Sequence, residues 1–272
     1  MIVKVIASGS SGNATYIKNN DTEILIDCGV SFKKIKDTII NLGSSIENVT
    51  HCFITHEHID HVRGLQVLLK KSNVKICLTN KTYKYLCSHN SYQEILNHKD
   101  RIIILESDKE GYNSLKIKDL TITPFKTFHD AVESVCYVID SFDKKLVYIT
   151  DTGYIPESYY KFISNANIYI LECNHDPDML MDSDRPFMLK QRILGDYGHL
   201  SNGDALYALA NIIGDNTRYV FYSHISEECN ELKIINETKC QIFNKLGIDT
   251  SKCDFNYALR NGAEVVEVWK WR

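Results

Sequence analysis

A histidine-rich string, His56-Glu57-His58-Ile59-Asp60-His61, stands one residue after an apolar run at residues 52–54. Imidazole and carboxylate groups are suitable ligands for Zn, Mn or Fe. Three histidines and one aspartate within six residues cannot all be core residues, because each buried ring needs its own polar partner. The zinc-protease motif requires a histidine three residues after its glutamate, and Asp60 stands there instead. The string therefore predicts a metal site of another kind.

The string resembles a motif of the metallo-β-lactamase superfamily, whose other four motifs match in order along nearly the whole chain. The matching residues follow or end apolar runs and are Asp27, His129, Asp151 and His224. This resemblance implies an α/β fold, a four-layer αββα sandwich. It also implies a ligand set, with His56, His58 and His129 on one ion, Asp60, His61 and His224 on a second, Asp151 bridging both, and Asp27 supporting the ligands from behind.

Two divalent ions about 3.5–4 Å apart would share a bridging hydroxide, because they lower the pKa of water from about 15.7 towards roughly 7. Among the implied ligands only Asp60 and Asp151 are anionic, so positive charge remains and favours an anionic substrate such as a phosphodiester. A carboxylate bridge in place of a thiolate argues against a true β-lactamase. We expect two divalent ions, Zn or Mn first, although such sites also accept Fe or Ni.

Longer strings are similar to the YycJ/WalJ-type branch of the superfamily, whose members resemble ribonuclease Z and act as DNA exonucleases. They include Ala7-Ser8-Gly9-Ser10-Ser11-Gly12-Asn13, Glu172-Cys173-Asn174-His175-Asp176 and Gly198-His199-Leu200-Ser201-Asn202. The resemblance implies Asp60, His199 and Glu172 as catalytic residues, with His175 as a support behind the ligands. A simpler interpretation stays open, in which the string at 198–201 only precedes a helix that Ser201 caps.

Two further groups of residues are candidates for substrate contact. The loop 9–13 carries Ser10 and Asn13 between two predicted strands, and its backbone N–H groups could receive a phosphate. An ordinary tight turn accounts for it equally well. Lys190 and Arg192 stand close to the string at 198–201 and are candidates for tracking a nucleic-acid backbone.

These residues favour a metal-dependent phosphodiesterase acting on DNA, most simply a 5′-end exonuclease. Two alternatives stay open: a lactone or thioester hydrolase that uses the same metals, and a metal-binding regulatory protein with little turnover. RNA maturation is disfavoured, because the interval between His61 and His129 lacks a Gly/Pro-rich arm and the interval between Asp151 and His224 is too short for a large inserted domain. Fold-level likeness cannot settle the substrate.

Alternating and helical patterns indicate the elements that must position these residues. Short β-branched runs predict eleven strands, among them Ile2–Ala7, Lys145–Ile149 and, at the end, Glu264–Trp269. Apolar spacing of three and four residues predicts seven helices, among them Val62–Lys71, and the serines ahead of the helices at 32 and 203 predict N-caps. No linker or repeat interrupts the pattern, so we expect one α/β domain over residues 1–272.

Composition limits the classes of protein further. With 44% hydrophobic and 24% charged residues the chain is an ordinary globular protein rather than a disordered one. Its formal net charge of -4 provides no overall cationic surface, so DNA must be held by a local basic patch or by bound metal. The nine cysteines contain no Cys-x-x-Cys pair, which predicts reduced, buried side chains. No apolar run suggests a signal peptide or membrane span, so we expect a cytoplasmic protein and infer no protein partner.

Overall fold

Two seven-stranded sheets face each other in the computed structural model, which describes residues 1–107 and 111–267. The strands, in chain order, are β1 (Ile2–Ala7), β2 (Ala14–Asn19), β3 (Thr22–Ile26), β4 (Val49–Phe53), β5 (Lys75–Thr79), β6 (Ile102–Leu105), β7 (Leu115–Ile117), β8 (Leu120–Lys126), β9 (Val135–Asp140), β10 (Lys145–Ile149), β11 (Ile168–Glu172), β12 (Tyr219–Ser223), β13 (Asp254–Tyr257) and β14 (Val266–Glu267).

The two sheets have the same pattern of strand directions. The first has the order β14-β1-β2-β3-β4-β5-β6, and the second β13-β12-β11-β10-β9-β8-β7. Antiparallel pairing joins the strands from β14 to β3 and from β7 to β10, whereas parallel pairing joins those from β3 to β6 and from β10 to β13. Each half of the chain therefore contributes one mixed sheet, and β14 returns to the first.

Alternating side chains place each sheet between two apolar layers. In β3, Ile24 and Ile26 join the central core between the sheets, while Leu25 points to the helices on the outer face. In β11, Ile168 likewise belongs to the central core and Tyr169 to the outer one. Strands buried on both faces read as continuous apolar runs, which is the pattern of their sequences.

The helices cover the outer faces of both sheets. They are α1 (Phe32–Asn41), α2 (Ile59–Val62), α3 (Leu65–Lys71), α4 (Asn80–Ser88), α5 (Glu94–Asn97), α6 (Glu157–Ile163), α7 (Pro177–Asp182), α8 (Phe187–Leu194), α9 (Asn202–Ile212) and α10 (Leu232–Leu246). Residues of α1 to α5 pack on the first sheet, and residues of α6, α9 and α10 on the second. The result confirms the αββα sandwich.

The predicted N-caps are present. The hydroxyl of Ser31 accepts a hydrogen bond from Lys34 N at the start of α1, and that of Ser201 accepts one from Asp204 N at the start of α9. Each cap satisfies a backbone donor that the first turn of a helix cannot pair internally.

Several predicted elements differ from the structure. The helix expected over 62–71 is wrong as a single element, because it divides into α2 and α3 around Gly64. A Cβ at Gly64 would lie 2.3 Å from the Val30 carbonyl oxygen, so only glycine permits this close approach of backbone. Strands β5, β7 and β13 and helices α5 and α7 were not predicted. Of the strand expected over Glu264–Trp269, β14 contains residues 266–267, and its last two residues lie outside the described ranges.

All nine cysteines are free, and six of them are buried. Cys87 and Cys253 are half-buried, and Cys240 is exposed, so burial is the rule but not universal. Among residues 1–107 and 111–267, no helix has both the length and the apolar character required to cross a membrane.

Candidate metal site

The candidate ligands meet at one edge of the paired sheets. His56 follows β4, Asp151 follows β10 and His224 follows β12, so each stands at the carboxyl end of a strand in a parallel pair. β8 runs in the same direction as β10, because both are antiparallel to β9, and it brings His129 to the same edge. Carboxyl ends of parallel strands form the common binding edge of α/β sheets.

Three of the strand-end residues adopt a left-handed backbone conformation. The φ angles are 59° at Asp27, 55° at Asp151 and 52° at His224. A non-glycine residue in this region costs on the order of 1–3 kcal/mol and persists only where the surrounding structure holds it there. The conformation turns the chain sharply at the end of β3, β10 and β12, at the edge where the ligands meet. These turns connect the strand order directly to the geometry of the site.

Side-chain donor atoms form overlapping clusters in which all members lie within 4.8 Å of one another. The clusters contain His56, His58 and His129; Asp60, His61 and His224; His56, His61 and Asp151; and Asp151, Glu172, His199 and His224. The first two correspond to the two ligand groups implied by the family resemblance. Asp151 occurs in both of the others, which places it between the groups as a bridging residue would be.

The aspartate at the end of β3 fixes the orientation of the histidine-rich loop. Its carboxylate accepts hydrogen bonds from Thr55 N at 2.8 Å and from the Nδ1 atom of His61 at 2.7 Å. Nε2 of His61 then faces Asp60 Oδ2 at 3.3 Å and Asp151 Oδ2 at 3.2 Å. A carboxylate on one ring nitrogen leaves the other free for metal and selects the required tautomer. Asp27 therefore has the supporting position that the resemblance implied.

Asn13 has a different position from the one proposed from sequence. Its side chain is buried, and its amide nitrogen lies 3.1 Å from Asp60 Oδ2 and 3.0 Å from His61 Nε2. Its amide oxygen accepts a hydrogen bond from Gly9 N at 2.8 Å. Asn13 thus ties the loop 9–13 to the donor atoms of two candidate ligands, on the side of His61 opposite to Asp27. Ser10, by contrast, is exposed and lines the cavity that opens over the ligands.

The first ligand group also presents correctly directed nitrogens. The Nδ1 atom of His129 donates to the carbonyl oxygen of Gly198 at 3.1 Å, and His56 Nδ1 lies 3.0 Å from the hydroxyl of Thr55. Both rings therefore keep Nε2 for another partner. The Nε2 atom of His129 lies 3.3 Å from the Nδ1 atom of His58. Three imidazole nitrogens from two loops converge at this point.

Two buried ring nitrogens without partners indicate that a metal ion fits the site. Among the described residues, Nε2 of His56 and Nε2 of His224 are buried without a hydrogen-bond partner. A buried polar atom left unpaired costs roughly 1–3 kcal/mol, and both atoms belong to the donor clusters. The donor set of imidazole and carboxylate suits divalent transition metals. The residues therefore fit the divalent metal site that the fold implies.

The charges within the clusters also favour a divalent metal. Burial alone would lower the pKa of His61, but Asp27, Asp60 and Asp151 outweigh it and raise that pKa well above its ordinary value. Burial likewise opposes the charged form of His224, and Asp151 with Asp60 raises its pKa. Burial would raise the pKa of Asp151, but the two histidines hold it well below its ordinary value. Without metal, protons on these rings balance the buried carboxylates, and a cation would displace them.

Glu172, at the end of β11, orients two histidines. Its Oε1 accepts from Nδ1 of His199 at 2.8 Å and lies 3.1 Å from Nδ1 of His224, while Oε2 accepts from Thr152 N and Leu200 N. Burial would raise the pKa of Glu172, but His199 and His224 lower it to about 2. Because both carboxylate oxygens are engaged, we interpret Glu172 as a residue that positions these rings rather than as a ligand.

A cavity of about 190 Å³ opens over the clusters. His199, whose side chain is 20% exposed, lines it together with Ser10, His129, His224 and Arg192. Arg185 and Asn174 also line it, and neither was singled out from the sequence. Asn174 donates to the carbonyl oxygen of His224 at 2.7 Å. The sequence offered one indication of Asn174, which lies between Glu172 and His175 in the string at 172–176. No feature of the neighbouring sequence distinguished Arg185.

Two other candidates do not reach this cavity. Lys190 is half-buried on α8 and donates through Nζ to the carbonyl oxygen of Met181 at 2.6 Å. His175 is buried, neither ring nitrogen has a hydrogen-bond partner among the described residues, and burial lowers its pKa to about 4. Its backbone carbonyl accepts from Asn202 N at the start of α9, so its clearest contact is with the helix that follows His199.

Comparison with known proteins places the chain within a family. A model of the beta-lactamase superfamily domain matches residues 22–225. The chain is 31% identical over 246 residues to the exodeoxyribonuclease YycJ of Bacillus anthracis, and the match covers 89% of each protein. It is 35% identical over 229 residues to the exodeoxyribonuclease WalJ of Streptococcus pneumoniae, covering 83% of this chain and 82% of that protein.

The fold has matches among solved structures as well. The metallo-beta-lactamase fold protein YhfI from Bacillus subtilis superposes with a TM-score of 0.70, covering 98% of this chain and 99% of that one at 18% sequence identity. At that identity the likeness concerns the fold. The family model and the structural neighbour agree on the fold.

Proposed function

The chain belongs to the metallo-β-lactamase superfamily, and we propose that it is a metal-dependent exodeoxyribonuclease that degrades DNA from a 5′ end. The exodeoxyribonucleases YycJ and WalJ are 31% and 35% identical to it over most of its length. A related protein can differ in substrate, so residues of this chain must support the assignment independently.

The observation that carries the proposal is the His199–Glu172 pair at the cavity. Its 2.8 Å hydrogen bond holds one ring nitrogen of His199 and leaves the ring lining the cavity over the metal clusters. Arg185 and Arg192 line the same cavity. A positioned histidine, two guanidinium groups and a cluster of metal ligands suit an anionic diester better than a neutral lactone or thioester.

We propose that His56, His58 and His129 hold one divalent ion, that Asp60, His61 and His224 hold a second, and that Asp151 contacts both. Zn or Mn is the expected metal. When bound, such ions supply Lewis-acid polarisation of the phosphate and make water more acidic.

The side chains of the protein supply the remaining steps. His199 is the candidate to donate a proton to the oxygen that leaves when the P–O bond breaks, and Glu172 holds its ring in place by accepting from Nδ1. Arg192 is paired with Asp130, which lies next to His129, so its guanidinium is held at the rim of the cavity. We propose that Arg185 and Arg192 contact the phosphates that flank the cleaved bond. Ser10 would contact the substrate from the opposite rim of the cavity.

End-labelled oligonucleotides test the function directly. Purified protein supplied with Mn or Zn is incubated with single-stranded and duplex DNA carrying a label at either end, with RNA, and with a lactone and a thioester. We expect metal-dependent release of short products from the 5′ end of DNA. Hydrolysis of only the lactone or thioester, or metal binding without turnover of any substrate, would overturn the proposal.

A further inference from the structure

Three aromatic rings meet beside the metal site, and each comes from a loop that also carries a site residue. Phe128 precedes His129, Tyr154 follows Asp151 by three residues, and Tyr197 precedes His199 by two. The rings of Phe128 and Tyr154 are stacked, with centroids 4.2 Å apart and an interplanar angle of 25°. The ring of Tyr197 approaches Phe128 edge-on at 6.3 Å. We call Phe128, Tyr154 and Tyr197 the aromatic cluster.

Backbone hydrogen bonds attach this cluster to the catalytic loops. The carbonyl oxygen of Phe128 accepts from Gly153 N at 2.9 Å, and that of Tyr197 accepts from Asp130 N at 3.1 Å. The Thr152 hydroxyl accepts from Phe128 N at 3.1 Å and donates to the carbonyl oxygen of Tyr154 at 2.8 Å. The backbone N–H of Thr152 in turn donates to Glu172. The rings are therefore held in fixed positions relative to the site.

The cluster is open to solvent although its members are aromatic. Tyr154 is 38% exposed and Tyr197 is 59% exposed. The ammonium group of Lys126, itself exposed, lies 5.8 Å from the centroid of the Phe128 ring. Exposed aromatic rings accompanied by a cation form the usual surface on which proteins stack unpaired nucleobases, because every base has a flat π-face and its backbone carries negative charge.

We propose that the aromatic cluster is a base-stacking subsite that holds an unpaired nucleobase of the DNA strand beside the phosphate being cleaved. This inference rests on the proposed nuclease function and makes it more specific. A base within a duplex already stacks on its neighbours and pairs with the other strand, so it cannot cover these rings. The cluster therefore selects a single strand or a frayed end over an intact duplex.

The test combines protein variants with removal of a base. Tyr154→Ala and Tyr197→Ala are compared with wild type on a single-stranded oligonucleotide and on the same oligonucleotide with abasic positions at its cleaved end. Stacking on one aromatic ring changes binding by about 5- to 150-fold. We expect kcat/KM on the normal strand to fall by that factor, mainly through KM, and the two variants to equal wild type on the abasic strand.

Two controls separate stacking from a structural role. Tyr197→Phe keeps the ring and should retain wild-type behaviour. Tyr207→Ala removes a tyrosine that is 51% exposed on α9 and makes none of the ring contacts that define the aromatic cluster, so it should change nothing. A 2-aminopurine base at the cleaved end should lose fluorescence on binding wild type, as stacked bases do, and retain it with Tyr154→Ala.

The possible failures are distinguishable. If wild type cleaves no DNA, the proposed function fails and takes this inference with it. If wild type cleaves DNA but the tyrosine variants are impaired equally on normal and abasic strands, or match wild type on both, only the base-stacking subsite is overturned. Loss of self-association in these variants with unchanged DNA kinetics would identify the cluster as a protein interface and would also overturn it.

Discussion

The two halves of the molecule contribute to the site in different ways. The first half provides four candidate ligands from a single segment after β4, formed by a loop and α2, in which His56, His58, Asp60 and His61 occur within six consecutive positions. The second half provides its residues one at a time, from the ends of separate strands and from the start of α9. Local sequence creates the first group, whereas only the assembled second sheet creates the other.

This contrast extends to what each group does. Asp27 holds the segment after β4 from behind, Asn13 contacts two of its donor atoms, and its residues belong to the donor clusters. The second half provides candidate ligands and also the two groups proposed to face the substrate, namely His199, which lines the cavity, and the aromatic cluster. We infer that both halves bind metal and that the second half, apart from Ser10 of the first, provides the contacts to the substrate.

The largest expected effect comes from the residue that connects the two groups. Asp151→Ala removes the carboxylate placed between both ligand groups and leaves His61 and His224 without their shared partner. We expect the proposed two ions per chain to fall to one or fewer, and DNA cleavage to fall by at least about 10³-fold, the upper range for removing one transition-state interaction. Elemental analysis of the dialysed protein measures the metal.

A matched control removes an acid elsewhere. Asp140→Ala deletes a half-buried carboxylate at the end of β9 that belongs to none of the donor clusters, so its metal content should equal that of wild type. If the Asp151 variant keeps two tightly bound ions while Asp140→Ala behaves as expected, the bridging role is refuted and the two halves bind metal independently.

Variants of His199 and His56 should show most clearly the different roles of the two halves in turnover and in metal binding. His199→Ala should keep its metal and show a turnover about 10²–10⁴-fold lower, because a positioned proton donor acts in the transition state. His56→Ala should lose metal together with activity, because its ligand nitrogen is gone. Metal analysis and single-turnover kinetics on labelled DNA measure the two effects. If His199→Ala also loses metal, that residue is a ligand, as its place in a cluster with Asp151 and His224 allows.

Most of the fold follows from the sequence because its determinants are local. Strand β1 and strand β10 have the predicted bounds, since apolar runs buried on both faces are unmistakable. The short strands β7 and β13 escaped prediction because three- or four-residue elements at sheet edges carry little pattern. The break at Gly64 escaped because its cause is the backbone of residues 28–30, which is distant in sequence.

The site was likewise predictable where its determinants are local in sequence and not where they depend on distant residues. The spacing of the histidines at 56–61 by itself predicts a metal site, and the family resemblance predicted Asp151 and His224 as further ligands. No sequence pattern shows that Asn13 is buried against the donor atoms of Asp60 and His61 or that Arg185 reaches the cavity. These facts depend on how two sheets and their connecting loops pack, and so does the convergence of the aromatic cluster.

An effect of intermediate size is expected in the pH dependence of metal affinity, because His61 and His224 must lose protons to bind metal. Their raised pKa values mean that the metal-free protein retains protons on these rings to higher pH than an ordinary histidine does. The stabilisation from these protons is complete below the unfolded pKa of about 6.5 and is lost as pH rises through the raised values. Metal must displace the protons, so affinity should rise with pH, by about tenfold per unit for each proton released.

Calorimetric titration of the metal-free protein with Zn in two buffers of different ionisation enthalpy measures this release. His51→Ala is the control, because burial lowers the pKa of His51 to about 4 and its ring is neutral. Its proton release should equal that of wild type. Identical heats in both buffers would show that the rings are already unprotonated and that the charge balance argued for the site is mistaken.

The smallest expected effect concerns the basic residues at the cavity, where the structure separates two residues that the sequence grouped together. Arg192 lines the cavity and is paired with Asp130, whereas Lys190 faces α7 and does not line it. Arg192→Ala should therefore weaken single-stranded DNA binding several-fold and reduce the salt slope by about 0.7 for each phosphate that the arginine neutralises, because fewer counterions are released. Arg185→Ala should act similarly, and Lys190→Ala should match wild type. Fluorescence anisotropy across a salt series measures all three. If Lys190→Ala flattens the slope as much as Arg192→Ala does, the strand follows the outer face of α8, and the second half contacts DNA over a wider surface than the cavity.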